Sequence, residues 1–501
     1  MQRQAPTRYI AMREQCGWRC NMAVRHYKAT LTVEGLVHIG DGEKYGKKDY
    51  FVVKDGKIAI LDAARFIQRL DPAQLEEYCE FLREDSRFGL QDYLDTHREL
   101  EKAAKSSVAY TIDSSLARAR RGSYQYFDVY RFMKDAYGCP YVPGSSVKGM
   151  LRTALFTFVI LNSKGICRRL YEEKLSSVGD PGKAGEMLSQ QVFQRNSDGK
   201  FDSGIVNDIM RYVSVSDSAP LTTEDLVFAK KYDKFSIRDD GRHKKQMGRI
   251  SDGSYYEGNE LNIYRECLKP GTRIEVLIDI DERMEERLRI VKLDLDGLAE
   301  IFAKSFELYE RSFLQHFEPE AGNVGAGSSA ADDGRCRYVA QEGPFPGMRC
   351  RNASIGGTGY CGRHQDKIPA QNDPSSGADK ATCYLGGGVD FDSKTILNAL
   401  YDGDDQTRVR EIANILYGQF TTWVDPANHT ILRSNIRSKG FEPKIGQAKY
   451  KRNGRLSKAK EDHRHWMDPD FGVSPHTMKY GIVGKEKHPM GKCSIVFTEL
   501  R

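Results

Sequence analysis

Apolar and polar residues alternate from Tyr27 onward. Tyr27, Ala29, Leu31, Val33, Gly35 and Val37 fall on one side, with Lys28, Thr30, Thr32 and Glu34 on the other. A period of two predicts a half-buried strand. The strand runs into His38-Ile39-Gly40-Asp41-Gly42, a polar loop rich in glycine. Two apolar runs, 50–54 and 57–61, flank Asp55-Gly56 and predict a hairpin with a two-residue turn. Asp62 stands where it can cap a helix, and helical segments follow to about Lys105. Further strands are predicted over 124–133, 212–216, 226–237, 259–267 and 273–280, with a helix over 298–317. Residues 165–210 are polar and helix-like. Segments 477–483 and 492–499 read as closing strands.

The period changes sharply after Tyr141-Val142-Pro143-Gly144-Ser145-Ser146-Val147-Lys148-Gly149-Met150-Leu151-Arg152. Val147, Met150, Leu151, Ala154, Leu155, Phe158 and Val159 follow the spacing of one buried helical face. Pro143-Gly144 marks a turn before it, and Ser145 or Ser146 is a suitable cap. Lys148 and Arg152 lie four apart in the first turns. Like charges at that spacing repel, and cations there oppose the helix dipole. An anion docked at the helix start would relieve both effects. A capped core helix with two solvated charges fits the same residues.

Composition changes after the 298–317 helix. Segments 321–334 and 367–380 are rich in Gly, Ser, Ala and Pro and bracket an insert, 335–365, that holds Cys336, Cys350, Cys361 and His364. Three thiolates and an imidazole suit a structural zinc ion, and Cys361-x-x-His364 is a chelating pair. So small an insert, with few large apolar residues, needs such a staple. Residues 1–21 follow no period, and Met22 directly precedes the first strand. The expectation is that 1–21 are a disordered lead or an annotation artefact.

Strands interleave with helices but show no regular βαβα repeat, which predicts an α+β fold. At 501 residues, more than one domain is expected. The division expected is 22–255 and 256–501. Lys and Arg total 76 against 70 Asp and Glu, so net charge alone points to no nucleic-acid partner. Local clusters have to decide: 238–253 holds Arg238, Arg242, His243, Lys244, Lys245 and Arg249, which fits a loop that tracks a phosphate backbone and equally a solvated loop, and 433–464 is also basic. No apolar run has the length of a membrane span. Eleven Cys without a secretion signal fit reduced thiols in a cytoplasm.

Gly386-Gly387-Gly388 with Ser393-Lys394-Thr395 departs from a nucleotide-binding loop, because Ser393 replaces the Gly before the Lys. ATP binding is therefore excluded there. Glycines ahead of a helix still let a polynucleotide backbone approach closely. His38, at a strand end beside glycines, is where a general base could sit. His465, His476 and the other histidines have no fixed partner spacing, and no HExxH, GxSxG or paired-carboxylate motif is present.

The segment 141–152 resembles the "IPGSSIKGALR" signature of the CRISPR RAMP (repeat-associated mysterious protein) family. His38–Gly42, Gly386–Gly388 with Ser393–Thr395, Pro475–Lys479 and Pro489–Cys493 resemble other parts of the same pattern, in the same order. The arrangement is most similar to the fifth-subunit branch of type III-A Csm effector complexes. The resemblance implies two fused ferredoxin-like (RRM-like) domains with insertions. It implies a non-catalytic subunit at the 3′ part of CRISPR RNA (crRNA), capping the backbone filament and supporting crRNA maturation in antiviral defence. Its partners would be crRNA, an adjacent backbone RAMP subunit, a small helical subunit and host nucleases. RNA contacts would come from Gly144, Ser145, Ser146, Lys148 and Arg152, then His38, Gly40, Gly42, Gly386, Gly387, Gly388 and Lys394. Some relatives are metal-independent endoribonucleases, and that alternative would use His38.

Overall fold

The computed structural model describes residues 24–53, 57–84, 87–113, 126–236, 258–317, 380–386, 395–420 and 465–500, together with the backbone of four short strands between 422 and 460. The expected lead 1–21, the basic loop 238–253, the Cys/His insert, Gly387, Gly388 and Lys394 lie outside the described residues.

The first predicted strand forms as Val24–Val33, with alternate residues buried. It sits in a five-stranded antiparallel sheet. The spatial order is Ala381–Tyr384, Lys492–Leu500, Val24–Val33, Arg273–Asp281, Val213–Val215. In chain order, strand Val24–Val33 leads to helix Gly144–Asn162, strands Val213–Val215 and Arg273–Asp281, helix Leu295–Ser312 and strand Lys492–Leu500. That is β-α-β-β-α-β connectivity with the spatial order 4-1-3-2, extended at one edge.

One such unit therefore uses strands from both ends of the chain, and His26 pairs with Leu500. The second large sheet has six strands: Glu486–Pro489, Thr477–Val483, Leu226–Phe235, Gly258–Leu268, Val129–Phe132 and Gly40–Tyr45. It does not repeat the 4-1-3-2 order, and Val129–Phe132 runs parallel to its neighbour. Both large sheets combine strands from before and after residue 255. The expected division at 255/256 thus does not separate the sheets, because long-range pairing is invisible to a local composition change.

A three-stranded sheet, Tyr50–Val52, Lys57–Leu61 and Val108–Asp113, carries four short helices and its own apolar cluster around Phe66, Tyr78, Phe81 and Tyr93. The described ends of its hairpin pair Val52 with Ile58 and Val53 with Lys57, and the expected turn at Asp55-Gly56 lies outside the described residues. Asp62 caps the next helix as expected, accepting the Arg65 amide at 3.0 Å.

Helix Gly144–Asn162 is the centre of the main core. Its expected face is buried, but so is the consecutive run Leu155-Phe156-Thr157-Phe158-Val159-Ile160. Helices Lys164–Val178, Pro181–Phe193, Leu295–Ser312 and Leu397–Leu400 all pack on it. Over 154–160 the helix is covered on every side and needs no polar stripe. No single helix among the described residues is long and apolar enough to cross a membrane.

Candidate nucleic-acid interface

Four of the sequence segments singled out above converge where the first strand ends. Gly35 lets the chain turn against Pro489: a Cβ there would stand 2.1 Å from the Pro489 carbonyl oxygen. The Gly491 amide donates to the Leu36 carbonyl at 2.6 Å, and the Leu385 amide to the Gly491 carbonyl at 2.8 Å. Gly386 follows with φ +85°, and a Cβ on it would lie 2.5 Å from the His38 carbonyl oxygen. Only glycine satisfies that angle and that approach together. The Met133 amide donates to the Ile39 carbonyl, and the Tyr141 amide to the Met133 carbonyl. The His38–Gly42 segment, which opens strand Gly40–Tyr45 where a polar loop was expected, the turn before the central helix, the start of the glycine triplet and the 489–493 segment are thereby laced together.

His38 is buried, and its Nδ1 lies 2.7 Å from the Glu266 carbonyl oxygen. That bond fixes Nδ1 as the donor and leaves Nε2 facing Gly40, where a Cβ would lie 3.2 Å away. Burial pushes the imidazole down to about 4; the carbonyl bond opposes this, and the Arg265 charge adds to it. A base that weak is poorly matched to proton abstraction near neutrality. The shift has a stability consequence with a definite sign. The folded state binds fewer protons than the unfolded state between the folded value, about 4, and the ordinary 6.5. The stabilisation is complete above 6.5 and is lost as pH falls towards 4, by roughly 2 kcal/mol at pH 5. The stability gap between wild type and His38→Gln in urea unfolding should therefore be smaller at pH 5 than at pH 7.5. A gap independent of pH would show that His38 titrates normally.

Behind His38 lies a polar network that the sequence reading missed. The Glu266 carboxylate is fully buried. It accepts from the Tyr110 hydroxyl at 2.7 Å, from the Phe132 amide at 2.8 Å and from the Lys134 ammonium. Burial lowers the Lys134 ammonium, while the Glu266 charge acts against that fall. The Tyr45 and Tyr110 hydroxyls are 2.8 Å apart, and Lys134 lies over both rings. Burial pushes Tyr45 up to about 12 and Tyr110 higher still. The network ties the three-stranded sheet, through Tyr110, to the six-stranded one. Its signal in the sequence is a Glu beside apolar residues at the end of a strand, Glu266 before Cys267 and Leu268.

At the central helix the N-cap position is Pro143, and no side chain caps it. The predicted caps Ser145 and Ser146 lie inside the first turn instead. The Gly144 amide donates to Asp217 Oδ1 at 2.8 Å, so this chain supplies an anion of its own at the helix start. Ser145 is exposed, and Ser146 and Lys148 are half-buried. Lys148 has no ion-pair partner among the described residues. Arg152, expected as a phosphate contact, is committed internally. Its Nη1 lies 2.9 Å from Asp208 Oδ2, its Nη2 donates to Ser189 Oγ at 3.1 Å, and its guanidinium stacks 4.3 Å over Phe193. Arg152 therefore reads as a bolt between the central helix and its neighbours.

His465 and His476 do have a partner, Asp468, fully buried between them. Asp468 accepts from His465 Nδ1 at 3.0 Å, His476 Nδ1 at 2.5 Å and Ser474 Oγ at 2.5 Å. Burial alone would raise its carboxyl, but the two histidine bonds outweigh it and hold Asp468 below the ordinary range. The three residues have metal-ligand chemistry, with donor atoms within 4.8 Å of one another. The bonds already made describe a closed network joining the 465–471 segment to strand Thr477–Val483.

Known proteins share this architecture. The profile of the RAMP superfamily matches residues 30–329, and the chain belongs to that superfamily. Within it, the chain is 27% identical over 301 residues to the CRISPR system Cms protein Csm5 of Streptococcus thermophilus, covering 58% of this chain and 73% of that protein. It is 24% identical over 405 residues to the protein of the same name from Mycobacterium tuberculosis, covering 78% and 87%. A chain in the cryo-EM structure of a Csm–crRNA–target RNA ternary complex from a type III-A CRISPR–Cas system shares its fold. There the TM-score is 0.51 at 15% identity, covering 94% of this chain and all of that one.

Proposed function

We propose that this chain is a non-catalytic subunit of a type III-A CRISPR ribonucleoprotein, a counterpart of Csm5, that binds the 3′ part of crRNA. The observation that carries the reading is the alignment over 405 residues with the M. tuberculosis relative, which reaches across most of both chains. In this reading the subunit works in the cytoplasm beside other Csm subunits, caps their filament and supports crRNA maturation by separate nucleases. Glycine-lined approaches and helix starts suit the task, because a guide must be held whatever its sequence. The buried, weakly basic His38 supports the absence of catalysis. A structural zinc ion on Cys336, Cys350, Cys361 and His364 belongs to the same proposal on the chemistry of its donors. It is checked by the metal content of wild type against Cys361→Ser.

The test uses repeat-containing crRNA labelled at its 3′ end, incubated with the protein in EDTA, beside His38→Ala. Bound, intact RNA protected towards the 3′ end supports the proposal. A discrete cut that disappears in His38→Ala would make the protein a nuclease.

A further inference from the structure

The six-stranded sheet has one face turned to the main core and another that carries a row of cations. Strand pairing identifies the row. Arg265 stands opposite Ala229 on one side and Tyr130 on the other, and Tyr130 stands opposite Lys44. Directly paired residues share a face, as do residues two apart on one strand. Lys231 follows Ala229 by two and faces Gly481, and Asp233 faces Lys479. The 2.8 Å ion pair of Lys479 with Asp233 confirms that these two side chains share the face. Lys479, Lys231, Arg265, Tyr130 and Lys44 thus form a diagonal stripe with one residue on each of five adjacent strands, roughly 19 Å across at the usual strand spacing.

The opposite face is different. There Val129, Phe228 and Tyr264 enter the core, Lys134 is paired with Glu266, and Lys230 with Glu260. Lys487 lies over the Tyr232 ring. On the stripe, Lys44 and Lys479 are each balanced by one partly exposed carboxylate, Asp128 and Asp233. Neither Lys231 nor Arg265 has an ion-pair partner among the described residues, and both are half-buried. Burial pushes the Lys231 ammonium down, and the Lys479 and Arg265 charges add to that fall against the pull of Asp233. Cations crowded into mutual repulsion are stabilised by an anion that bridges them. The aromatic member, Tyr130, is 44% exposed. One end of the face is closed by Leu36 and Met490 over Val227, Ala229 and Cys267, and among the described residues the charges lie beyond that cluster.

We propose that this stripe is a track for single-stranded RNA, with Arg265 and Lys231 on successive phosphates, Lys44 and Lys479 at its ends, and a base stacked on Tyr130. A basic path with an aromatic platform is the combination that holds a single strand without reading its sequence. A protein partner would bury so much like charge only by bringing matching carboxylates. The inference rests on the RNA-binding reading above and assigns it a surface distinct from the central helix start.

Fluorescence anisotropy with a repeat-derived single strand, over a range of NaCl, tests it on the full chain. Lys231→Gln with Arg265→Gln should weaken binding and reduce the slope of log K against log salt by about 1.4, two phosphates at about 0.7 each. Tyr130→Ala should weaken binding about tenfold. Arg152→Ala should leave the slope unchanged. Circular dichroism and melting verify that each variant folds. If a variant does not fold, photocrosslinking of wild type to 4-thiouridine RNA should label the peptides that carry Tyr130 and Arg265. Wild type that binds RNA with the slope unchanged in the double variant, or with crosslinks elsewhere, overturns the stripe while leaving the RNA-binding reading intact. Loss of another complex subunit with RNA affinity unchanged would make the stripe a protein interface and overturn it too. Wild type that binds no RNA removes the underlying reading.

Discussion

Replacing Glu266 with alanine is expected to destabilise the protein by about 3–5 kcal/mol in equilibrium urea unfolding. The carboxylate is wholly buried and serves three donors: the Tyr110 hydroxyl, the Phe132 amide and the Lys134 ammonium. The Lys134 side chain is itself only 6% exposed. Without Glu266, a buried ammonium loses its anion and two buried donors lose their acceptor. That asymmetry is what makes a half-removed pair so unfavourable. The double replacement Glu266→Leu with Lys134→Met should recover much of the loss, because no charge is left stranded. A single-variant loss below about 1 kcal/mol would mean that Lys134 escapes to water on the scale of a surface pair.

The second large effect is expected at Gly144. A Cβ at this position would stand 2.3 Å from the Val215 carbonyl oxygen and 2.6 Å from that of Ser216. Both are backbone atoms of the sheet on which the helix begins, so no side chain can rotate away. Gly144→Ala must part helix from strand and strain the bond from the Gly144 amide to Asp217. Overpacking and a weakened charged hydrogen bond together should destabilise by about 3 kcal/mol or more. The same helix contains its own control. Gly149 has open space where its Cβ would be, and Gly149→Ala should stabilise by about 0.5–1 kcal/mol through helix propensity. Opposite signs from two glycines five residues apart would establish close backbone approach as the reason for the first. Equal effects would contradict it.

These two positions illustrate what was legible in the chain. Gly144 belongs to a local signature: turn, glycine, then a helical period, all within a dozen residues. The first strand and the central helix are readable for the same reason, since burial of one face imposes a period on adjacent residues. Glu266 and Lys134 are 132 residues apart, and no local period connects them. The partnership of Asp468 with His465 and His476 is hidden similarly by irregular spacing. Arg152 has the sequence environment of a phosphate ligand, yet Asp208 and Ser189, brought in by later segments, occupy it. The expected division at residue 255 cuts across both large sheets for the same reason. The last strand returns beside the first, and only the folded chain reveals that closure. The basic stripe also escapes a linear reading, because each of its five residues lies on a different strand.

The most direct test of the central claim is capture of the tagged chain from cells that express a type III-A locus containing it, followed by sequencing of the bound RNA and quantification of the co-purifying proteins. The expected result is RNA drawn from the CRISPR repeats and spacers, with 3′ ends at a defined position, and the other complex subunits in fixed ratio. RNA that mirrors the cellular pool, or a chain recovered without RNA or other subunits, would contradict it.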